Sequence, residues 1–315
     1  NPAIFGDRIV WTDDRNGLLD IYMYDLSTGI ETPICTAGNN QINPAIFGDR
    51  IVWEDYRSGG PPDIYMYDLV TGTETQITTN ANNQYLPAIF GDRIVWEDDR
   101  NGNWDIYMYD LSTSQETRIT TNASDQSAPA IFADRIVYDD WRNGLRDIYM
   151  YDLSTSQETQ ITADGGSSDQ RNPAIFGDRI VWQDDRNGAP DIYMYDLTTG
   201  TETQITTNGS SQQYPAIFGD RIVWEDNRNP SPDIYIYTDG TITSGANWNA
   251  AWPTCPPDGT YTIQGYAYDQ ATHIANSSFP GSTITVTIDT INPQATITDA
   301  NINDTFATMT YTKGT

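Results

Sequence analysis

Six times along this chain an Asp is followed two residues later by an Arg, and then, five or six residues on, by an Asp that stands before Ile-Tyr. The sets are Asp13, Arg15 and Asp20; Asp55, Arg57 and Asp63; Asp98, Arg100 and Asp105; Asp140, Arg142 and Asp147; Asp184, Arg186 and Asp191; and Asp226, Arg228 and Asp233. Such a set allows two chemistries. Carboxylates at short spacing can cage a divalent cation, or they can clamp the guanidinium in a structural ion pair. The Arg favours the clamp, because a fixed positive charge inside a calcium cage repels the ion. The residue after the first Asp is Asp14, Tyr56, Asp99, Trp141, Asp185 or Asn227, so acidity is not maintained there. A ring of metal sites is therefore not expected, and no cofactor is implied. A second fixed set, Arg8, Arg50, Arg93, Arg135, Arg179 and Arg221, directly follows a turn Asp and also reads as structural pairing.

Nucleophilic catalysis finds little support. The single His, His273, lies near the end of the chain, which leaves no base for a Ser or Cys triad in the first 238 residues. Carboxylate pairs of the glycosidase kind are abundant. They recur in every copy, however, whereas a catalytic site is a unique constellation. The chain therefore reads as non-catalytic. Three aromatic residues, Tyr56, Trp104 and Trp141, fall in or beside a turn that varies between copies. Rings on loops stack on sugars or anchor partners; the plainer reading is that they cover apolar edges of neighbouring strands.

The elements that carry these residues are written six times. Each copy opens with Pro-Ala-Ile-Phe, at Pro2, Pro44, Pro87, Pro129, Pro173 and Pro215, with spacings of 42, 43, 42, 44 and 42 residues. A period in the low forties with four strand-like runs per copy is the pattern of propeller blades. In the third copy the pattern predicts strands over Pro87–Phe90, Arg93–Glu97, Asp105–Leu111 and Glu116–Thr120, with turns at Gly91-Asp92, Asn101-Gly102 and Ser112–Gln115. The third strand, Asp-Ile-Tyr-Met-Tyr-Asp-Leu, is apolar on both faces, as a sheet sandwiched between other sheets requires. The predicted fold is all-β: a six-bladed β-propeller of four-stranded blades over residues 1–238, followed by a partial or small Ig-like β-sandwich. The blades fall at about 1–42, 43–85, 86–127, 128–171, 172–213 and 214–243, with blades one and six as neighbours in a closed ring.

The run Gly-Asp-Arg-Ile-Val-Trp…Asp-Arg-Asn-Gly-x-x-Asp-Ile-Tyr-Met-Tyr-Asp-Leu resembles the TolB-type propeller repeat, also called the WD40-like or PD40 repeat. The family's Pro-Asp-Gly turn is replaced here by Phe-Gly-Asp. The regular wording is most similar to surface-protein propellers of methanogenic archaea and covers residues 1 to about 238. The resemblance implies a fold and an extracytoplasmic or cell-surface setting, but not an activity. Metal-dependent lyases of this propeller type use several His ligands, which this chain lacks.

After residue 238 the repeat gives way. Asp258–Asp269 and Ser282–Thr290 resemble the last strands of an Ig-like surface module, assigned to residues 239–292. Residues 293–315 read as the start of a further module, or as a segment that donates a strand to another copy and so builds a filament or sheath. The formal charge of −28 excludes a nucleic-acid partner, and no run of apolar residues is long enough to span a membrane. Two cysteines, Cys35 and Cys255, are candidates for one disulfide between blade one and the tail. Sequons at Asn122, Asn208, Asn276 and Asn303 are candidate glycosylation sites. The leading function is a non-catalytic cell-surface structural or interaction protein whose partners are copies of itself, other surface proteins or glycans. A lectin-like propeller is the alternative, and a polysaccharide-active enzyme ranks behind both.

Overall fold

A computed structural model describes residues 2–162 and 168–238 with their side chains and, beyond them, the backbone of three short strands. The chain divides into two units, Asn1–Asp239 and Gly240–Thr315. The described residues contain no helix, and so none that could cross a membrane.

The first unit holds six antiparallel meanders in chain order, one per repeat. Five have four strands, and three strands of the sixth are described. The first strands are Ala3–Phe5, Gln41–Phe47, Gln84–Phe90, Gln126–Phe132, Gln170–Phe176 and Gln212–Phe218, and consecutive ones lie side by side. They therefore surround an axis from which the other strands step outward, which makes this an all-β, six-bladed propeller. In blade 3 the first strand begins at Gln84, three residues before the predicted Pro87. The extension hides behind a bulge: the register against the second strand shifts between Val95 and Glu97, and Leu86 has φ 52°. Asn43, Ala128, Asn172 and Tyr214 do the same in their blades, each just before the Pro. A bulge accommodates a Pro that has no N–H to give to the ladder.

The core lies in slices between blades. Val52, Ile64, Met66 and Ile77 on the leading face of blade 2 meet Ile89, Ile94, Trp96 and Tyr107 on the trailing face of blade 3. The same residue positions meet at the 1/2, 3/4 and 4/5 interfaces. Ile64, Ile94 and Trp96 are all 0% exposed, and each such aliphatic side chain contributes about 2 kcal/mol. The second Arg set crosses these interfaces. Arg50 donates to Asp92 Oδ1 at 2.5 Å and to the Gly91 carbonyl at 3.2 Å, both in the next blade. Arg8, Arg93 and Arg135 reach Asp49, Asp134 and Asp178 in the same way. For these four Arg the Asp that directly precedes is thus not the partner; the side chain emerges on the leading face.

The innermost phenylalanines form a continuous run of contacts. Phe5, Phe47, Phe90, Phe132, Phe176 and Phe218 touch in succession with centroids 4.4–4.8 Å apart. Among the described residues no ring contact joins Phe218 back to Phe5. Cys35 is buried on the leading face of blade 1, between Asp55 and Arg57 of blade 2. Cys255, its candidate partner, lies outside the described residues.

In the second unit, Thr260–Gly265 pairs antiparallel and Thr283–Thr285 parallel with a central strand, Ala307–Thr312. Ala307–Thr312, within the segment 293–315, is the middle strand of this sheet, and the rest of that segment lies outside the described residues. The rest of the Ig-like expectation, with Asn276 and Asn303, lies outside the described residues.

Candidate functional site: an acidic and aromatic mouth

The repeated Asp-Arg set forms a knot at the turn between the second and third strands. In blade 3, Arg100 donates from Nε and Nη2 to the two oxygens of Asp98 at 2.9 and 2.5 Å, and from Nη1 to Glu116 at 2.5 Å. Its guanidinium lies 4.3 Å over the Tyr107 ring. Asp98, whose side chain is 0% exposed, also accepts the Trp96 indole N–H and the Arg100 backbone N–H. Arg15, Arg57, Arg142, Arg186 and Arg228 repeat the pairing with Asp13, Asp55, Asp140, Asp184 and Asp226. The Arg228 hydrogen bond holds the Asp226 carboxyl down at about 2. The second carboxylate is a fourth-strand Glu (Glu31, Glu74, Glu116, Glu158 or Glu202), not the predicted third-strand Asp. The Arg folds over the Tyr ring toward the outer strand, which takes it away from Asp105. That Asp accepts Asn101 Nδ2 and pairs with Arg118. Asp20, Asp147, Asp191 and Asp233 likewise accept Asn16, Asn143, Asn187 and Asn229, while Asp63 accepts the Thr78 hydroxyl. The knots are filled with protein donors. Among the described residues no group of three or more His, Cys, Asp or Glu is placed to hold a metal ion.

The Phe rings stand where the first strands end. Where those strands begin, at the opposite mouth, a buried Gln and the knot Asp recur while the positions beside them vary between copies. Glu54, Glu97 and Asp139 occupy one second-strand position and are 1%, 8% and 1% exposed. Glu54 Oε1 accepts the Asn43 side-chain amide at 2.7 Å and the backbone N–H of Leu86, in the next blade, at 2.8 Å. Glu97 Oε2 accepts the Ala128 N–H, again one blade on, at 3.0 Å. Burial pushes the Glu97 carboxyl up to about 7, and the Asp139 and Glu54 charges add to the effect. Burial also lifts Asp139 to about 7 against the pull of Arg146, 3.7 Å away.

Aromatic residues cover these acids. The Tyr56 hydroxyl donates to Glu54 Oε2 at 3.4 Å and interacts with that of Tyr85. The Tyr85 ring lies against Trp104 at 5.3 Å, and the Trp104 backbone N–H donates to Asp125. Trp141, 40% exposed, carries the Arg146 guanidinium 4.5 Å over its ring. Two of the three predicted aromatics thus share a strip, and Trp141 stands one blade further on. Tyr85 and the buried acids went unpredicted. Their signal is a charge where the strand pattern calls for alternation: the equivalent residues are Thr12, Glu54, Glu97, Asp139, Gln183 and Glu225. Of the candidate sequons, Asn208 is exposed, while half-buried Asn122 lines a polar cleft between blades 3 and 4. Both accept the backbone N–H of their own Ser, at 3.0 and 2.9 Å.

No protein-family pattern matches the sequence, and no curated protein matches it. Solved structures do. TolB from Acinetobacter baumannii is similar at 21% identity and TM-score 0.57, over 75% of this chain and 62% of that one. The β-propeller domain of the Trilobed protease from Pyrococcus furiosus, described as having an open velcro topology, is similar at 15% identity and TM-score 0.61, over 76% and 81%. A prolyl endopeptidase is similar at 10% identity and TM-score 0.56, over 97% of this chain and 52% of that one. The chain thus spans less than two thirds of the TolB and about half of the peptidase. At these identities the likeness concerns architecture: the chain carries the TolB-like β-propeller fold.

Proposed function

We propose that this protein is a non-catalytic interaction propeller of the cell surface that engages its partner at the mouth formed by Tyr56, Tyr85, Trp104 and Trp141. The observation that carries this reading is where the copies differ. The Asp-Arg-Glu knots, the Phe rings and the interface isoleucines repeat from blade to blade. The rim positions do not. One runs Ile42, Tyr85, Ser127, Arg171, Gln213, and another Leu19, Pro62, Trp104, Arg146, Pro190, Pro232. A rigid scaffold with variation confined to one edge is the usual arrangement of a recognition surface. The non-catalytic reading is supported by the knots, whose carboxylates are taken up by Arg, Trp and backbone donors. The surface location is supported by the resemblance of the repeat.

A lectin-like role is the second reading, favoured by the Tyr85–Trp104 pair, since two adjacent rings can stack on a sugar. Binding of surface proteins and of polysaccharides by wild type and by Trp104→Ala/Trp141→Ala separates these readings. Loss of protein capture without loss of melting temperature supports the first. Selective loss of glycan binding supports the second. Unchanged binding of both refutes the mouth as the site, and turnover of a polysaccharide refutes the non-catalytic reading.

A further inference from the structure

Blade 6 shows to solvent what the other blades bury. Ile234 is 75% exposed, whereas its equivalents Ile21, Ile64, Ile106, Ile148 and Ile192 are 0%. Phe218 is 71% exposed and Ile236 47%, although Met23, Met66, Met108 and Met150 at the latter position are 7–9%. Blade 1 shows the converse. Ile4 is 63% exposed, against 7–8% for Ile46, Ile89, Ile131 and Ile175. Leu26 is 52% exposed, and Ile9 and Trp11 are only half-buried where Ile51 and Trp53 are fully enclosed.

These are the two halves of one interface. Phe218, Val223, Ile234 and Ile236 hold the leading-face positions, and Ile4, Ile9, Trp11 and Leu26 the trailing-face positions, of the joint seen between blades 2 and 3. A contiguous apolar sheet face on a protein surface marks a docking site. The internal interfaces say what fits this one: the trailing face of the same repeat. Among the described residues no part of the molecule's own trailing face fills it: no ring contact joins Phe218 to Phe5, and Ile234 is open to solvent.

We propose that blade 6 of one copy docks against blade 1 of a second copy, repeating in trans the contact that joins consecutive blades. This deepens the interaction role by naming one partner as the chain itself, through a surface separate from the aromatic mouth. The contact is heterologous, so every docked copy offers a fresh leading face. The incoming blade 1 brings its own blade 2, which obliges the second copy to step along the axis. Successive copies then climb as an open row.

The test is sedimentation of the full chain over a wide concentration range, with Ile234→Asp and Ile4→Asp as variants. Both residues are exposed in the single copy, so both variants are expected to melt like wild type when dilute. Wild type should form species that grow with concentration. Each variant alone should fall at least tenfold in association and sediment as a monomer. An equimolar mixture should recover dimers and nothing larger, because one intact leading face still meets one intact trailing face. Trp104→Ala should sediment as wild type does, which separates this result from the fate of the mouth. A wild type that stays monomeric at every concentration overturns the proposal, whether the seam closes on its own blade 1 or is filled by residues 240–315. Association untouched by both substitutions overturns it too.

Discussion

Replacing Glu97 with Gln is expected to stabilise the propeller at pH 8 and to leave it unchanged at pH 4. Glu97 is 8% exposed, and burial raises its carboxyl from 4.5 to about 7. The folded protein therefore binds this proton more tightly than the unfolded chain does. Its contribution is fully present below pH 4.5 and is lost as the pH rises through 7. A displacement of that size corresponds to about 3 kcal/mol above pH 7. Gln keeps the carbonyl oxygen that accepts the Ala128 N–H and removes the charge. Blade 5 already has Gln183 at this position, 2% exposed. Part of the gain goes to satisfying the new amide, so about 1–3 kcal/mol should remain, a rise of about 2–10 °C in melting temperature for a domain of this size. Urea unfolding of both proteins at pH 4 and pH 8 measures it. An equal difference at the two pH values, of either sign, refutes the claim that charge burial governs this site.

Three further outcomes follow from other blades. Arg100→Met should cost about 3 kcal/mol because Asp98 keeps a fully buried charge, whereas Arg15→Met, whose Arg is 44% exposed, should cost clearly less; equal losses in chemical denaturation would show that burial does not set the strength of the knots. Ala133 has φ 53° where Gly48, Gly91 and Gly177 stand in other copies, so Ala133→Gly should raise stability by about 1 kcal/mol, read as a shift in the urea midpoint with unchanged slope. Cys35 takes the place of Thr78, whose hydroxyl donates to Gln84 Oε1 at 3.1 Å, but Gln126 and Gln212 Oε1 lack a donor although Thr120 and Thr206 stand at this position, so Cys35→Thr should shift the same midpoint by less than about 1 kcal/mol.

The blade period was legible because every copy meets the same environment, so the same residues recur at the same sheet positions. The Asp-Arg knot was legible for the same reason, down to the first Asp. Its second carboxylate was not: Glu116 lies 16 residues from Arg100, across a strand that the spacing does not describe. The Arg8–Asp49 contact spans 41 residues, and nothing in either copy points to the other. The bulge escaped because its left-handed residue is Asn, Leu, Ala or Tyr, never the Gly that announces such a conformation. The buried acids escaped because they interrupt the repeat, and a pattern built on what recurs discards what does not.

The Arg bridges and core slices share a property: each joins a copy only to the one before or after it. Thermodynamically the propeller is a one-dimensional chain of near-identical units with nearest-neighbour coupling. Duplicating or deleting an internal copy leaves every remaining joint chemically the same, so copy number is free to drift in evolution without new interfaces being invented. Opening should begin at the termini of the row, where a unit has one neighbour instead of two. Amide exchange should therefore be fastest in blades 1 and 6 and slowest in blades 3 and 4, a gradient set by position in line rather than by sequence.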